Sequence, residues 1–250
     1  MPGLTLLGTG MQAGHQTTPE ARFALEAADR VFLLLHHPLA EAWVKRINAR
    51  SESLAPLFHA FPAAEAYRRM AERVLGAART ETVAVALYGH PAIHVSLTHH
   101  VVGAAHAEEI PCRILPGISS EDCLFAELGL DPATRGCRSY DATDFLLFDR
   151  PVDTGTLLIL WQAGAIGFGA LPANQGLSLL AETLMPQYGG AHAVQVVRTA
   201  TSPMEAARHE TVALQELPGA AIDLYTTVIV PPLAPGRPDS GRARALGIPL

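Results

Sequence analysis

Thr82-Val-Ala-Val-Ala-Leu87 carries no charge and runs directly into Tyr88-Gly-His-Pro-Ala-Ile93. A continuous apolar run of this length reads as a strand buried on both faces, as in a parallel sheet covered by helices. Glycine and proline within four residues then force an unusual backbone course where the strand ends. In open α/β sheets that end is where ligands collect. Taken alone, the Gly89–Pro91 loop reads first as a rigid turn. It can also present backbone carbonyls and amides to a ligand while apolar neighbours exclude water.

The same alternation extends in both directions. Leu4 to Leu7 predicts a strand that enters a loop holding Gly8, Gly10 and Gly14. Thr17-Thr-Pro-Glu20 starts a helix, and Val31 to Leu35 is a second strand. Helices are expected over Leu39–Ile47, Ala64–Ala78 and His99–Glu109, with a strand at Cys112–Leu115. Ser119-Ser-Glu-Asp122 caps the next helix. Strands at Thr156–Trp161, Ala193–Val197 and Asp223–Val230, with a helix at Leu177–Leu184, complete the pattern. This order predicts an α/β fold with mainly parallel pairing. Residues 1–116 are expected to form one lobe and 117–233 another. Residues 234–250 are expected to form an extended tail, since Pro231 to Leu250 holds five prolines and three glycines.

Composition narrows the function classes. Apolar residues make up 49% of the 250 and charged residues 17%, which suits a sizeable core rather than disorder. The net charge of −6, without a cluster of basic residues, argues against a nucleic-acid partner. Cys112, Cys123 and Cys137 form no CxxC pair, which points to a reducing compartment. Neither a signal peptide nor a membrane-length apolar run is present. A cytoplasmic protein without a membrane partner is expected.

Several motifs carry competing readings. Gly8-Thr-Gly10 partly matches a dinucleotide fingerprint, but the second strand ends in Leu35-His-His37 and not in the acid that holds a ribose. His90 and His94 have i,i+4 spacing, yet Pro91 separates them, and no H-E-x-x-H run exists, so no metal site is expected. Glu121 and Asp122 could act as acid and base, but a first-turn position explains both without chemistry.

Taken together, Gly8-Thr-Gly10, Tyr88-Gly-His-Pro91, Leu115-Pro-Gly-Ile-Ser-Ser120 and Thr226-Thr227 with Pro231-Pro232 resemble the tetrapyrrole methylase family over about residues 3–233. Within it, Leu115 to Ala126, Gly136-Cys137, Tyr140 to Leu146 and Trp161-Gln-Ala-Gly164 are similar to borosin-type peptide α-N-methyltransferases. The resemblance implies two α/β lobes with S-adenosyl-L-methionine in the cleft between them, S-adenosyl-L-homocysteine as product, and a homodimer. It assigns cofactor contacts to Tyr88, His90, Pro91, Ile93, Ser119, Ser120, Gln162, Thr199, Ala200, Thr226 and Thr227. It also implies a separate precursor peptide as substrate, with methylation of the tail Ala245–Leu250 as the lesser alternative to a disordered tail.

An amide is a poor nucleophile until its proton is removed or its carbonyl oxygen is stabilised, which calls for tyrosines and a cation. The resemblance places tyrosines at Tyr67 and Tyr88. The family's arginine falls near Ala63 and its remaining tyrosine on Phe58 or a neighbour. His59 or Arg68 is expected to assist instead. The missing arginine leaves two alternatives open: a small-molecule or tetrapyrrole-like acceptor, or a cofactor-binding subunit without turnover.

Overall fold

The computed structural model describes residues 2–169, 172–236 and 238–249, with the backbone alone at 168 and 169. The chain forms two compact units. The first comprises residues 1–128 and 199–206, and the second comprises 129–198 and 207–250.

The first unit contains β1 (Gly3–Gly8), α1 (Pro19–Ala27), β2 (Arg30–Leu34), α2 (Pro38–Ile47) and β3 (Ser51–Ser53). It continues with α3 (Pro56–Ala60), α4 (Ala63–Ala78), β4 (Thr82–Leu87), α5 (Ser96–Ala107), β5 (Cys112–Leu115) and α6 (Ser120–Leu128). Its strands lie in the order β3-β2-β4-β1-β5, and every pair is parallel. β4 is central and buried on both faces. Val83, Val85 and Leu87 join a cluster with α4 and α5, while Ala84 and Ala86 join another with α1 and α2. That double burial is the physical reason for its unbroken apolar run.

Local chemistry fixes the helix ends. The Thr18 hydroxyl accepts from the Ala21 amide at 3.1 Å, with Pro19 opening α1. Along α4, Ala66, Met70, Ala71, Val74, Leu75 and Ala78 form one buried stripe.

The second unit contains α7 (Pro132–Arg135), β6 (Cys137–Asp141), α8 (Ala142–Leu147), β7 (Leu157–Trp161) and a 3-10 turn (Ala163–Gly169). Then follow α9 (Ala173–Tyr188), β8 (Ala193–Arg198), β9 (Arg208–Ala213), a second 3-10 turn (Leu214–Gly219), β10 (Thr227–Val230) and α10 (Ser240–Ala245). The strand order is β6-β7-β10-β8-β9. Only β6 and β7 are parallel, and the other three pairings are antiparallel. Mainly parallel pairing thus holds for the first sheet and not the second.

Other expectations shift as well. The units divide at Leu128/Gly129 rather than at residue 116, because Leu124 and its helix α6 belong to the first. Residues 199–206 return to that unit from the β8–β9 connection. Asp223 to Thr226 is a turn, closed by the Thr226 amide on the Asp223 carbonyl at 3.1 Å, so β10 starts only at Thr227. The tail expected to be extended contains α10, whose first amides, Gly241 and Arg242, both donate to the Asp239 carboxylate at 2.9 Å. The end of that tail, Leu250, lies outside the described residues, as does Met1.

Candidate functional site

Three loops leave the carboxyl ends of β1, β4 and β5, and glycines bring them together. A β-carbon on Gly8 would lie 2.3 Å from the Gly89 carbonyl oxygen and 2.7 Å from Gly117 Cα. One on Gly117 would lie 2.3 Å from the same oxygen and 2.7 Å from Gly8 Cα. Backbone packing this tight excludes any side chain. Gly89 itself has φ +65°, and its amide and carbonyl pair with Gly10 at 3.0 and 3.3 Å. The crest of the first sheet is therefore main chain rather than side chain.

The loop after β4 is rigid. The His90 carbonyl accepts from the Ile93 amide at 3.2 Å, and the His90 Nδ1 accepts from the Ala92 amide at 3.1 Å. Pro91 is buried, and its carbonyl accepts from the Thr98 hydroxyl. Ile93 remains 36% exposed, so this loop offers one apolar side chain outward. Tyr88 is half-buried against the α1/α2 cluster, and the His36 ring meets it edge-on with centroids 3.7 Å apart.

Ser119 does structural work. Its hydroxyl donates to Asp122 Oδ2 at 2.7 Å and accepts from the Asp122 amide at 3.1 Å. The Ser119 amide also donates to that carboxylate, at 2.7 Å. This reciprocal cap occupies both side chains and leaves Asp122 no need of an acid/base role. Ser120 opens α6 and is half-buried. Thr199 and buried Ala200 lie in the segment that returns to this unit, followed by Thr201, which lines a small cavity with Thr9, Gly10, Met11, His36 and Tyr88.

The expected catalytic group separates. Tyr67 packs on the α4/α5 face of the first sheet, whereas Tyr88 packs on the opposite face. Phe58 meets Tyr67 edge-on at 5.1 Å, so the residue at the tyrosine position does reach it. His100 of α5 lies nearly parallel to the Tyr67 ring at 6.0 Å. Arg68 is tied to Glu65 and Glu72, and its side chain is 55% exposed. Arg69 pairs with Glu65 at 2.6 Å and covers the Phe61 ring at 4.0 Å. His59 is exposed on α3. Reading the sequence missed His36 and His100, because only strand order and helix pairing bring them to the two tyrosines.

The second unit gathers its own three residues. Gln162 follows β7 with φ +56°, and the neighbouring Ala163 amide donates to the Thr226 carbonyl at 2.9 Å. A β-carbon on Gly164 would sit 1.8 Å from the Asp223 carbonyl oxygen, so Gly164 lets the two loops touch. Thr226 and Thr227 are buried at 3% and 6% exposure. Thr226 Oγ1 accepts from the Asp223 amide at 2.8 Å. Among the described residues no group of three metal-ligating side chains comes together, and no helix is long and apolar enough to cross a membrane.

A fully parallel sheet with a glycine-walled crest in the first unit and a mixed sheet with its own loop pair in the second define a two-unit α/β protein. The chain belongs to the tetrapyrrole (corrin/porphyrin) methylase family, whose model matches residues 3–216. It is 36% identical over 208 residues to the methyltransferase/ribosomally synthesized cyclic peptide gymnopeptides precursor gymMA1 of Gymnopus fusipes, covering 81% of this chain and 50% of that protein. It is 34% identical over 258 residues to the methyltransferase/ribosomally synthesized type I borosin cyclic peptide precursor sveMA of Serendipita vermifera subsp. bescii, covering 98% and 62%. The chain thus spans about half to two-thirds of these relatives' length. Among solved structures, uroporphyrin-III-C-methyltransferase from Thermus thermophilus shares the fold, with a TM-score of 0.66 and 21% identity over 92% of this chain and 93% of that one.

Proposed function

We propose that this protein is an S-adenosylmethionine-dependent methyltransferase that acts on backbone amide nitrogens of a ribosomal precursor peptide supplied as a separate chain. The observation that supports the methyl-donor part is the glycine-walled crest, where Gly8 and Gly117 let the loops after β1, β4 and β5 close on one another with no β-carbon between them. The residues present fit a sulfonium nucleoside in kind. In the first unit, Ile93 at the edge of the Tyr88–Ile93 loop and Ala200 suit an apolar ring. Ser120 and Thr199 add hydroxyl groups in the first unit, Gln162, Thr226 and Thr227 are the second unit's own candidates, and Ser119 acts by holding α6. The peptide part rests on likeness to relatives named as methyltransferase and cyclic peptide precursor.

The bound donor supplies an activated methyl group, so the protein's task is to position the acceptor and manage its proton. Tyr67 carries the phenol proposed for that task, while Tyr88, on the opposite face of the first sheet, belongs to the donor crest. A homodimer and a cytoplasmic setting belong to the same proposal.

A second reading has its own support. By the resemblance the family's arginine falls close to Ala63, where this chain has none, and Arg68 and Arg69 both pair with Glu65. A site with its nearby cations so engaged suits an acceptor easier to deprotonate than an amide, such as a small molecule. Titration calorimetry with S-adenosylmethionine, followed by intact-mass analysis of protein and peptide, tests the whole. Saturable heat and a heavier peptide beside an unchanged protein are expected. An unchanged peptide with donor consumption on a small molecule favours the second reading, and absence of heat overturns both.

A further inference from the structure

We propose that His36 is a positioning residue for Tyr88, and through it a member of the methyl-donor site; this rests on the methyltransferase reading above. The strand order places β4 between β2 and β1, so the residues just beyond β4 have one neighbour on each side. On the β1 side the neighbour is backbone, with Gly89 bridged to Gly10 by two hydrogen bonds. On the β2 side it is a side chain. The register Leu34↔Leu87 brings the two strand ends level, and the His36 ring then meets Tyr88 at 90° with centroids 3.7 Å apart. Aromatic pairs usually sit about 4.5–7 Å apart, so this contact is close.

The two adjacent histidines divide their roles. His37 Nδ1 accepts from the Leu39 amide at 3.2 Å and caps α2. His36 meets Tyr88 instead, and both histidines line the small cavity with Thr9, Met11, Tyr88 and Thr201. His36 is exposed and stands outside the buried cores, so it adds little to stability. Its contact holds the orientation of a tyrosine that flanks the glycine at φ +65°. This position lies two residues beyond β2, near where a dinucleotide-binding sheet carries its ribose acid. Here the strand end acts on the ligand through an aromatic neighbour.

The test compares the unsubstituted chain with His36→Ala and His36→Phe, using S-adenosylhomocysteine as the calorimetric probe. The chain has five tyrosines, so a spectrum of protein labelled on tyrosine rings resolves Tyr88 once Tyr88→Phe identifies its line. His36→Ala is expected to weaken binding roughly 3- to 10-fold, the range of one aromatic contact. His36→Phe is expected to restore it to within about twofold, since edge contact and not charge is what matters. The Tyr88 ring line moves toward the exposed-tyrosine position in the alanine variant only, and thermal unfolding stays unchanged. Unaltered affinity in His36→Ala overturns the inference, as does a phenylalanine variant as weak as alanine. If the unsubstituted chain itself gives no heat, the methyl-donor reading falls and takes this one with it.

Discussion

A methyl group has no room where Gly8, Gly89 and Gly117 meet. Gly117→Ala pushes a β-carbon against the Gly89 carbonyl and the Gly8 Cα, and overpacking of this kind costs about 1–3 kcal/mol. Denaturant unfolding is expected to show that loss, and calorimetry to show no methyl-donor binding in the folded fraction. At the tyrosines, Tyr67→Phe is expected to lower methyl transfer by about 100-fold, the scale of a lost proton-handling group. Its melting temperature should stay near that of the unsubstituted chain, because the phenyl ring keeps its contact with Phe58. An active Tyr67→Phe enzyme would remove Tyr67 from the chemistry. Residues differ in how legible they are. Tyr88 and Gly89 stand out because they end a buried strand. Tyr67 was identifiable only by resemblance, since its place on an apolar stripe reads as core. The His36–Tyr88 and Tyr67–His100 contacts needed strand order and helix pairing, which no local pattern contains.

Among the elements, α4 and α5 carry exposed glycines with free space around them. A β-carbon on Gly76 or Gly103 meets nothing within 4 Å. Glycine in a helix interior is destabilising by about 0.5–1 kcal/mol relative to alanine. Gly103→Ala is therefore expected to raise stability by that amount with binding unchanged, read by chemical denaturation. Ser119→Ala removes the reciprocal cap of α6 and is expected to cost about 1 kcal/mol. Ser120→Ala, which leaves the cap intact, serves as its control. The buried strand β4 was legible residue for residue from its apolar run, and the short edge strand β5 was placed with its bounds although only Leu115 is buried. The edge strands of the second sheet were not. β9, Arg208-His-Glu-Thr-Val-Ala213, is largely exposed, and β6 is only partly buried, so neither shows a clean hydrophobic signature. Antiparallel pairing in the second sheet was missed because its buried strands, β7 and β10, read like parallel ones.

Across the whole molecule, much of the charge is spent in exposed pairs. Hydrogen bonding to Arg30 holds the Glu81 carboxyl below its usual range, and hydrogen bonding to Arg79 does the same for Glu108. Glu65 is lowered likewise by Arg68 and then Arg69. A carboxyl that is more acidic folded than unfolded stabilises the fold above its unfolded pKa. That contribution is lost as pH falls through the folded value. The melting temperature is therefore expected to hold from neutrality to about pH 5 and to drop below roughly pH 4. Added salt should shrink the drop, since the pairs face solvent. The family and the two-unit α/β plan were legible because glycine-rich loops recur at fixed places along the chain. The division at Leu128/Gly129 was not, because the return of residues 199–206 to the first unit is a long-range event. What the molecule does is tested most directly by incubation with S-adenosylmethionine bearing a deuterated methyl group and a separate candidate precursor peptide. Tandem mass spectrometry then locates the label. The account predicts deuterated methyl groups on backbone nitrogens of the peptide; label confined to side chains or to another acceptor, or no transfer from a bound donor, would contradict it.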